Sequence, residues 1–152
     1  MHFHFCCGLG GGAKGFNKNR EIVGNMQAEW QCIGGIDVDG AGLRDFQRLA
    51  GVPGTQIDLF TRDQYVRFHG KEPPAGWREA TPEDIRKAAG NQDPDCVFIS
   101  SPCKGASGLL SEAMSLTPKY QALNELTLRC VWLMCEAWQH SPVPLIVFEN
   151  VP

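Results

Sequence analysis

Short apolar segments alternate with longer polar or amphipathic segments along the chain. Five apolar segments predict β-strands, over residues 2–7, 31–37, 55–60, 95–101 and 144–149. Helices are predicted over 13–26, 41–50 and 120–139. A further polar helix is predicted to begin after Thr81, where an N-cap residue is followed by a proline. The segment 69–77 is rich in proline and glycine and is predicted to be a loop.

The alternation of strands and helices indicates the fold class. Parallel strands need a long crossover connection, and helices of this length provide it. The predicted strands are apolar along their whole length, as expected for a sheet that is covered on both faces. We therefore predict an α/β fold with a doubly wound parallel sheet, in one domain over 1–152. In such sheets ligands bind beyond the carboxyl ends of the strands, so the residues after each strand are the functional candidates.

Composition and charge exclude several classes of protein. The chain is 43% hydrophobic and 20% charged, a balance typical of folded domains rather than disordered chains. No apolar run approaches the roughly 18 residues of a membrane helix, and glycines occupy the region where a signal peptide needs an apolar stretch. Seven cysteines without CxxC spacing favour a reduced, cytoplasmic protein. The formal net charge of −3 argues against a strongly basic protein that coats nucleic acids.

A glycine-rich turn follows the first predicted strand. Gly8, Gly10 and Gly11 lie in this turn, and the segment from Gly10 to Gly15 satisfies the pattern GxGxxG. Glycines allow a sharp turn and a close approach to a ligand, and the start of the next helix offers free N–H groups. Asp37 ends the second strand, where an acid that binds ribose is expected. The pattern predicts a site for an adenosine-bearing cofactor, but it leaves open which cofactor binds and is also compatible with a purely structural turn.

Two candidate catalytic residues follow the fourth and fifth predicted strands. Cys103 lies in the loop after the fourth strand, where Lys104 and backbone N–H groups would favour its reactive thiolate. Glu149 ends the fifth strand, where partial desolvation would help its carboxyl group donate a proton near neutral pH. Each residue alone is also compatible with a turn cysteine or a solvated strand end. Their order after successive strands, behind the glycine turn and the acid, favours a catalytic site.

Taken together, these motifs resemble those of the cytosine-5 DNA methyltransferase family over about residues 3–152. Gly8-Leu9-Gly10-Gly11 resembles the loop that binds S-adenosylmethionine. Asp37-Val38 resembles the motif whose acid holds the cofactor ribose while the next side chain packs on the adenine. Asp58-Leu59 resembles the motif whose aspartate reaches the adenine amino group, and Pro102 is counted with the same cofactor-binding residues. The resemblance therefore implies S-adenosylmethionine as the cofactor.

The resemblance also implies a reaction and the residues that perform it. Ser101-Pro102-Cys103, with Ser107, resembles the Pro-Cys motif that bears the nucleophile, and Glu149-Asn150-Val151 resembles the motif that protonates the base. On this view the Cys103 thiolate attacks C6 of a flipped-out cytosine while Glu149 donates a proton to N3, and C5 then takes the methyl group. Ser107, Asn150 and Val151 would support the loop that holds the substrate.

Three positions depart from the family pattern. Lys104 stands where the family commonly has glutamine, Ala106 where it commonly has phenylalanine, and Cys6 where an aromatic residue usually packs on the adenine. We treat Lys104 as compatible variation, because it could aid thiolate formation or contact phosphate, and we expect Cys6 to weaken cofactor binding. The resemblance implies no metal, and alternation along the first strand explains His2 and His4.

The resemblance covers only the N-terminal part of the family's catalytic domain, because the sequence ends at Pro152 and lacks the family's later motifs and target-recognition domain. We therefore expect the fifth strand to be an exposed edge and the chain alone to have little or no activity. The expected partners are double-stranded DNA, recognised largely by a surface outside this sequence, and a second segment or chain that completes the enzyme. The alternatives are a non-catalytic module that binds the cofactor or DNA, one half of a split methyltransferase, a dinucleotide-dependent oxidoreductase and an enzyme acting on RNA cytosine.

Overall fold

The computed structural model describes residues 1–103 and 111–150. In this part of the chain the strands β1 to β7 are His2–Phe5, Ile22–Val23, Met26–Gln27, Cys32–Asp37, Gly54–Gln56, Cys96–Ile99 and Leu145–Phe148. The helices α1 to α6 are Gly11–Lys18, Gly40–Ala50, Arg62–His69, Pro82–Ala88, Glu112–Ser115 and Pro118–Ala137. Each of the five strands predicted from the sequence has a counterpart, in β1, β4, β5, β6 and β7.

The main sheet contains five parallel strands in the order β5-β4-β1-β6-β7. The chain starts at the central strand, moves outward on one side to β4 and β5, and then returns to build the other side with β6 and β7. The strand order therefore reverses beside β1, which is where ligands bind in open sheets of this type. The predicted α/β class is confirmed, and the arrangement is Rossmann-like.

Alternate side chains of β1 divide the interior into two cores. Phe3 and Phe5 are fully buried on the face that α4 and α6 cover, and the Phe3 ring lies 5.6 Å from that of Trp138. His2 and His4 are buried on the opposite face, against Phe16 and Asn17 of α1 and Phe46 of α2. Helices therefore cover both faces around the central strand, as its continuous apolar pattern predicted.

The outermost strand β7 differs from this pattern. It pairs only with β6 among the described strands, which confirms the predicted edge position. The prediction that every strand is covered on both faces is wrong for β7, since Leu145, Ile146 and Phe148 are 46%, 38% and 52% exposed. An apolar sequence indicates only that a strand can be buried. The position of the strand in the sheet decides whether other helices or strands cover its side chains.

The first predicted helix is too long. A helix was expected over 13–26, but α1 ends at Lys18, and β2 and β3 form an antiparallel hairpin. Val23 pairs with Met26, so Gly24 and Asn25 make a two-residue turn, for which the positive φ of 63° at Gly24 is suited. The turn geometry and the β-branched Ile22 and Val23 favour the hairpin over a continued helix.

The third predicted strand is also too long, and the helix after it was missed. The strand was expected over 55–60, but β5 ends at Gln56 because Asp58 then accepts a hydrogen bond from the Phe60 N–H in a local turn. Helix α3 begins with a capping box in which the Thr61 hydroxyl and the Gln64 side chain bond each other's backbone N–H groups. This Thr-x-x-Gln spacing was present in the sequence and is the signal that could have found the helix.

The longest helix, α6, packs against α3 and α4 on one face of the sheet. Arg67 of α3 forms a bidentate ion pair with Glu125 of α6, which joins the two helices. In the described parts of the chain, none of the helices combines the length and the apolar character that crossing a membrane requires.

Candidate active site

The turn after β1 depends on residues with positive φ. Cys6, Gly8 and Gly10 have φ angles of 52°, 50° and 90°. A Cβ at Gly10 would lie 3.0 Å from the Phe46 Cα, so the turn passes too close to α2 for any side chain. Gly10 is also the N-cap of α1, so this close approach brings the free N–H groups of the helix start to the carboxyl edge of the sheet.

Asp37 connects this glycine turn to the end of β4. Its Oδ2 accepts a hydrogen bond of 2.8 Å from the Gly8 N–H, and its Oδ1 accepts one of 2.9 Å from the Asp39 N–H. Each carboxylate oxygen can accept a second hydrogen bond, so the group is oriented without being saturated. Two of the three motifs that the sequence assigned to cofactor binding are therefore in direct contact.

A cleft of about 230 Å³ opens beside Asp37 at the carboxyl edge of the sheet. It brings together five of the predicted cofactor-binding residues, which are Asp37, Val38, Asp58, Leu59 and Pro102. Cys6 also lines the cleft, and its expected place near the adenine stays a prediction. None of the other four predicted residues, Gly8, Leu9, Gly10 and Gly11, lines this cleft. The glycine turn only adjoins it through the hydrogen bond from Gly8 to Asp37, and Leu9 is 59% exposed at the surface.

Helix α3 supplies cleft residues that the sequence reasoning missed. Phe68 and His69 lie at its C-terminal end and form one wall of the cleft, and Leu123 and Leu126 of α6 also line the cleft. These side chains are largely apolar, and the polar groups of the cleft are concentrated in the carboxylates of Asp37 and Asp58 and in His69. An apolar slot with few polar groups is the usual form of a site for a small molecule.

Two hydrogen bonds orient Asp58. The Phe60 N–H donates to its Oδ1 over 3.0 Å, and the Trp77 Nε1–H donates to its Oδ2 over 3.1 Å. Trp77 belongs to the proline- and glycine-rich loop that the sequence analysis left without a role. Asp58 therefore lines the cleft with a hydrogen-bond partner that the sequence did not indicate, and its role toward the adenine stays a prediction.

The ends of β6 and β7 bring the two predicted catalytic segments to the same edge of the sheet. The Ser100 Oγ–H donates a hydrogen bond of 2.7 Å to Glu149 Oε2, and the Glu149 N–H continues the ladder to the Ile99 carbonyl. Glu149 is exposed, so the partial desolvation expected of it is not found. Cys103 is half-buried, three residues after Ser100 in the loop that follows β6, and Asn150 is exposed. The predictions for Lys104, Ala106, Ser107 and Val151 lie outside the described residues.

Two other cysteines adjoin the site. A side-chain hydrogen bond with Cys130, together with burial, raises the pKa of the Cys6 thiol well above its usual range. Burial, aided by the negative charge of Asp37, raises the pKa of the Cys7 thiol to about 12. Both thiols are therefore neutral near pH 7, and neither is a nucleophile there.

One buried group among the described residues has the composition of a metal site. The ligand atoms of His2, His4 and Cys32 lie within 4.8 Å of one another. However, His2 Nδ1 lies 2.7 Å from His4 Nε2, and His2 Nε2 lies 2.9 Å from the amide oxygen of Asn17, which only accepts. Burial, with a smaller effect from the charge of His2, lowers the pKa of His4 to about 3. The pair is therefore a neutral, hydrogen-bonded part of the core, and the expectation of no metal stays a prediction.

Comparison of the chain with models of known protein families and with curated proteins found no match. The fold and the site by themselves define the class as an α/β protein with a Rossmann-like parallel sheet and a largely apolar cleft at the carboxyl ends of its strands.

Proposed function

We propose that the chain is the catalytic part of an S-adenosylmethionine-dependent DNA cytosine-5 methyltransferase. One observation carries the proposal. A single cleft collects Asp37, Val38, Asp58, Leu59 and Pro102, which come from three separate motifs of the sequence. The segments bearing Cys103 and Glu149 leave adjacent strands at the same edge of the sheet. This combination is what the resemblance requires of a methyltransferase site.

The residues of the cleft fit the adenosine part of the cofactor. Asp37 can accept hydrogen bonds from ribose hydroxyls with its remaining lone pairs, and Asp58 can accept one from the adenine amino group. Apolar side chains such as Leu59 and Phe68 match the faces of a purine ring. When bound, S-adenosylmethionine supplies the methyl group for C5 of the cytosine.

The chemistry on the base belongs to Cys103 and Glu149. The Cys103 thiolate forms a bond to C6 of a cytosine that has been flipped out of the duplex, and the Glu149 carboxyl group, which the bound base would shield from water, gives its proton to N3. The electron pair that moves toward C5 makes that carbon the acceptor of the methyl group. A base then removes the C5 proton, the thiolate of Cys103 leaves C6 with the electron pair of the C6–S bond, and the N3 proton returns to Glu149. In this sequence of steps the hydrogen bond from Ser100 orients the Glu149 carboxyl group.

The proposed substrate is double-stranded DNA. Because the chain has a formal net charge of −3, the proposal assigns the main DNA-contacting surface to another segment or chain. The exposed side chains of β7 support a contact between this strand and that additional segment or chain, because Leu145 and Phe148 present apolar surface at an unpaired strand edge of the described sheet.

The proposal is tested by trapping the covalent intermediate. A duplex with 5-fluorocytosine at candidate sites is incubated with the protein and S-adenosylmethionine, because fluorine at C5 cannot leave as a proton does and the bond to Cys103 then persists. We expect a denaturation-resistant adduct that depends on the cofactor. The adduct forms at single turnover, so a slow enzyme is sufficient. Cys103→Ser should abolish it, and Cys135→Ser, at an exposed position on α6, should not.

The other outcomes separate the alternatives. Binding of S-adenosylhomocysteine without any adduct would favour a non-catalytic module that binds the cofactor. Binding of a dinucleotide in preference to S-adenosylhomocysteine would contradict the proposal and favour an oxidoreductase. An adduct with a fluorinated RNA but none with DNA would move the substrate to RNA.

A further inference from the structure

Asp58 lines two cavities. One is the candidate cofactor cleft, and the other is a cavity of about 200 Å³ that is also lined by Gln56, Trp77, Arg78 and Asp84. Trp77 lines only this second cavity of the two, and its Nε1–H donates to Asp58 Oδ2 over 3.1 Å. The indole therefore contacts the carboxylate without lining the cofactor cleft.

We propose that Trp77 is a positioning residue that makes the cleft selective for a purine with an amino group at C6. The inference rests on the proposed function, because it concerns the base of the proposed cofactor. Its physical basis is the hydrogen-bonding capacity of Asp58 and the way in which Trp77 is held.

An ionised carboxylate accepts hydrogen bonds and donates none, and its two oxygens offer about four acceptor positions. The Phe60 N–H and the Trp77 Nε1–H occupy one position on each oxygen of Asp58. Both donors fix the direction of the carboxylate, and the remaining positions can only receive a hydrogen. An amino group at C6 satisfies them, whereas an oxo group at C6 would place an acceptor against an acceptor.

The indole is itself held in place by aromatic contacts. The Tyr65 ring lies 5.2 Å from the Trp77 ring and 4.2 Å from the His69 ring. His69 also lines the cleft, so α3 both forms a wall of the cleft and supports the residue that orients Asp58. On either side of Trp77, Glu72 pairs with Arg62, and the Glu79 carboxylate accepts from the Arg62 N–H. The loop is therefore attached to α3 at both of its ends.

A purely structural role predicts a different result from a positioning role. If Trp77 only supports the loop, then its loss weakens the binding of every ligand of the cleft by a similar factor. If it orients Asp58, then its loss reduces the difference between ligands that differ only at C6. The ratio of two affinities therefore separates the roles, and a single affinity does not.

The experiment measures by calorimetry the dissociation constants of S-adenosylhomocysteine and of S-inosylhomocysteine, which carries an oxo group at C6. Trp77→Phe keeps an aromatic ring against Tyr65 and removes the N–H. We expect the wild-type protein to prefer the amino ligand, and the variant to lose about five- to tenfold of that preference. Trp132→Phe, on α6 and 46% exposed, is the matched control and should keep the wild-type ratio. In an Asp58→Asn background, Trp77→Phe should leave the ratio unchanged.

The failures are distinguishable. A wild-type protein that does not bind S-adenosylhomocysteine contradicts the proposed function and with it this inference. A Trp77→Phe protein that binds with an unchanged ratio contradicts the inference alone. If Trp77→Phe does not fold, Tyr65→Leu provides a second measurement, since it keeps the indole N–H but removes its support. A preserved ratio in Tyr65→Leu would then overturn the inference, and a reduced ratio would support it.

Discussion

The backbone N–H of Gly8 donates a hydrogen bond of 2.8 Å to Oδ2 of Asp37, and this contact joins the turn after β1 to the end of β4. The two residues are 29 positions apart in the chain. Their contact makes the glycine turn and the ribose-binding candidate one structural unit. The Asp37 carboxylate therefore stabilises the fold in addition to its proposed role in binding the cofactor.

Asp37→Asn should weaken both functions. The amide has one acceptor oxygen in place of two, so either the Gly8 N–H or the Asp39 N–H loses its partner. We expect the free energy of unfolding to fall by about 1–2 kcal/mol in urea titrations, and S-adenosylhomocysteine to bind at least about tenfold more weakly. The control is Asp45→Asn, at an exposed site on α2, which should change stability by less than about 0.5 kcal/mol. Equal behaviour of the two variants would contradict the assignment of Asp37.

Gly10→Ala should destabilise the protein through the backbone. The φ of 90° disfavours any residue with a Cβ, and the new methyl group would lie 3.0 Å from the Phe46 Cα, which belongs to a rigid helix. We expect a loss of about 1–3 kcal/mol in the free energy of unfolding. Gly11→Ala is the matched control, because nothing lies within 4 Å of its Cβ position and its φ is not positive. A Gly10→Ala variant as stable as Gly11→Ala would show that the turn is not constrained in this way.

The buried histidine pair should make stability depend on pH. Burial lowers the pKa of His4 in the folded protein to about 3, from the ordinary value of 6.5 expected when unfolded. Below about pH 6.5 the His4 side chain binds a proton in the unfolded chain but stays neutral in the folded protein. The stability from His4 is therefore complete above this pH and falls by about 1.4 kcal/mol for each pH unit toward pH 3.

Urea titrations between pH 7.5 and 5 measure this effect. His4→Gln keeps a hydrogen-bond donor for His2 but does not titrate, so its stability should fall less steeply than that of the wild-type protein as the pH decreases. His140→Gln, at an exposed position, should follow the wild-type curve. Parallel curves for the wild-type protein and His4→Gln would mean that His4 is protonated in the folded state.

Asp84→Asn should weaken the start of α4 in a pH-dependent manner. The Arg78 guanidinium, assisted by Thr81, holds the pKa of the Asp84 carboxyl group well below its usual range. Since this pKa is lowered on folding, the stabilisation is present above the unfolded value of about 4 and is lost as the pH falls below it. At pH 7 we expect the variant to be about 1 kcal/mol less stable, and at pH 3 the difference should shrink. Glu83→Gln, exposed in the same helical turn, serves as the control.

The sequence alone was sufficient for the features that depend on local pattern. Continuous apolar segments located all five strands of the main sheet, and a residue that follows a strand must lie at its carboxyl end, which placed Asp37 and Glu149 at one edge. The same reasoning was less accurate where a short-range interaction competes with periodicity. A hairpin built on the Gly24-Asn25 turn stands where the second half of the first helix was predicted, and the third strand ends before the Asp58 turn.

The sequence by itself therefore determined the α/β class and the order of the candidate motifs, because hydrophobic period and turn residues are encoded locally. Only the tertiary structure decided which of these residues share a cleft; it added His69 to the cleft and Trp77 as the hydrogen-bond partner of Asp58. It also decided that Glu149 is exposed on an uncovered edge strand of the described sheet. The physical reason is that strand order and helix packing bring together side chains far apart in the chain. A hydrogen bond such as that from Trp77 to Asp58 cannot be predicted from the hydrophobic pattern of the sequence around either residue.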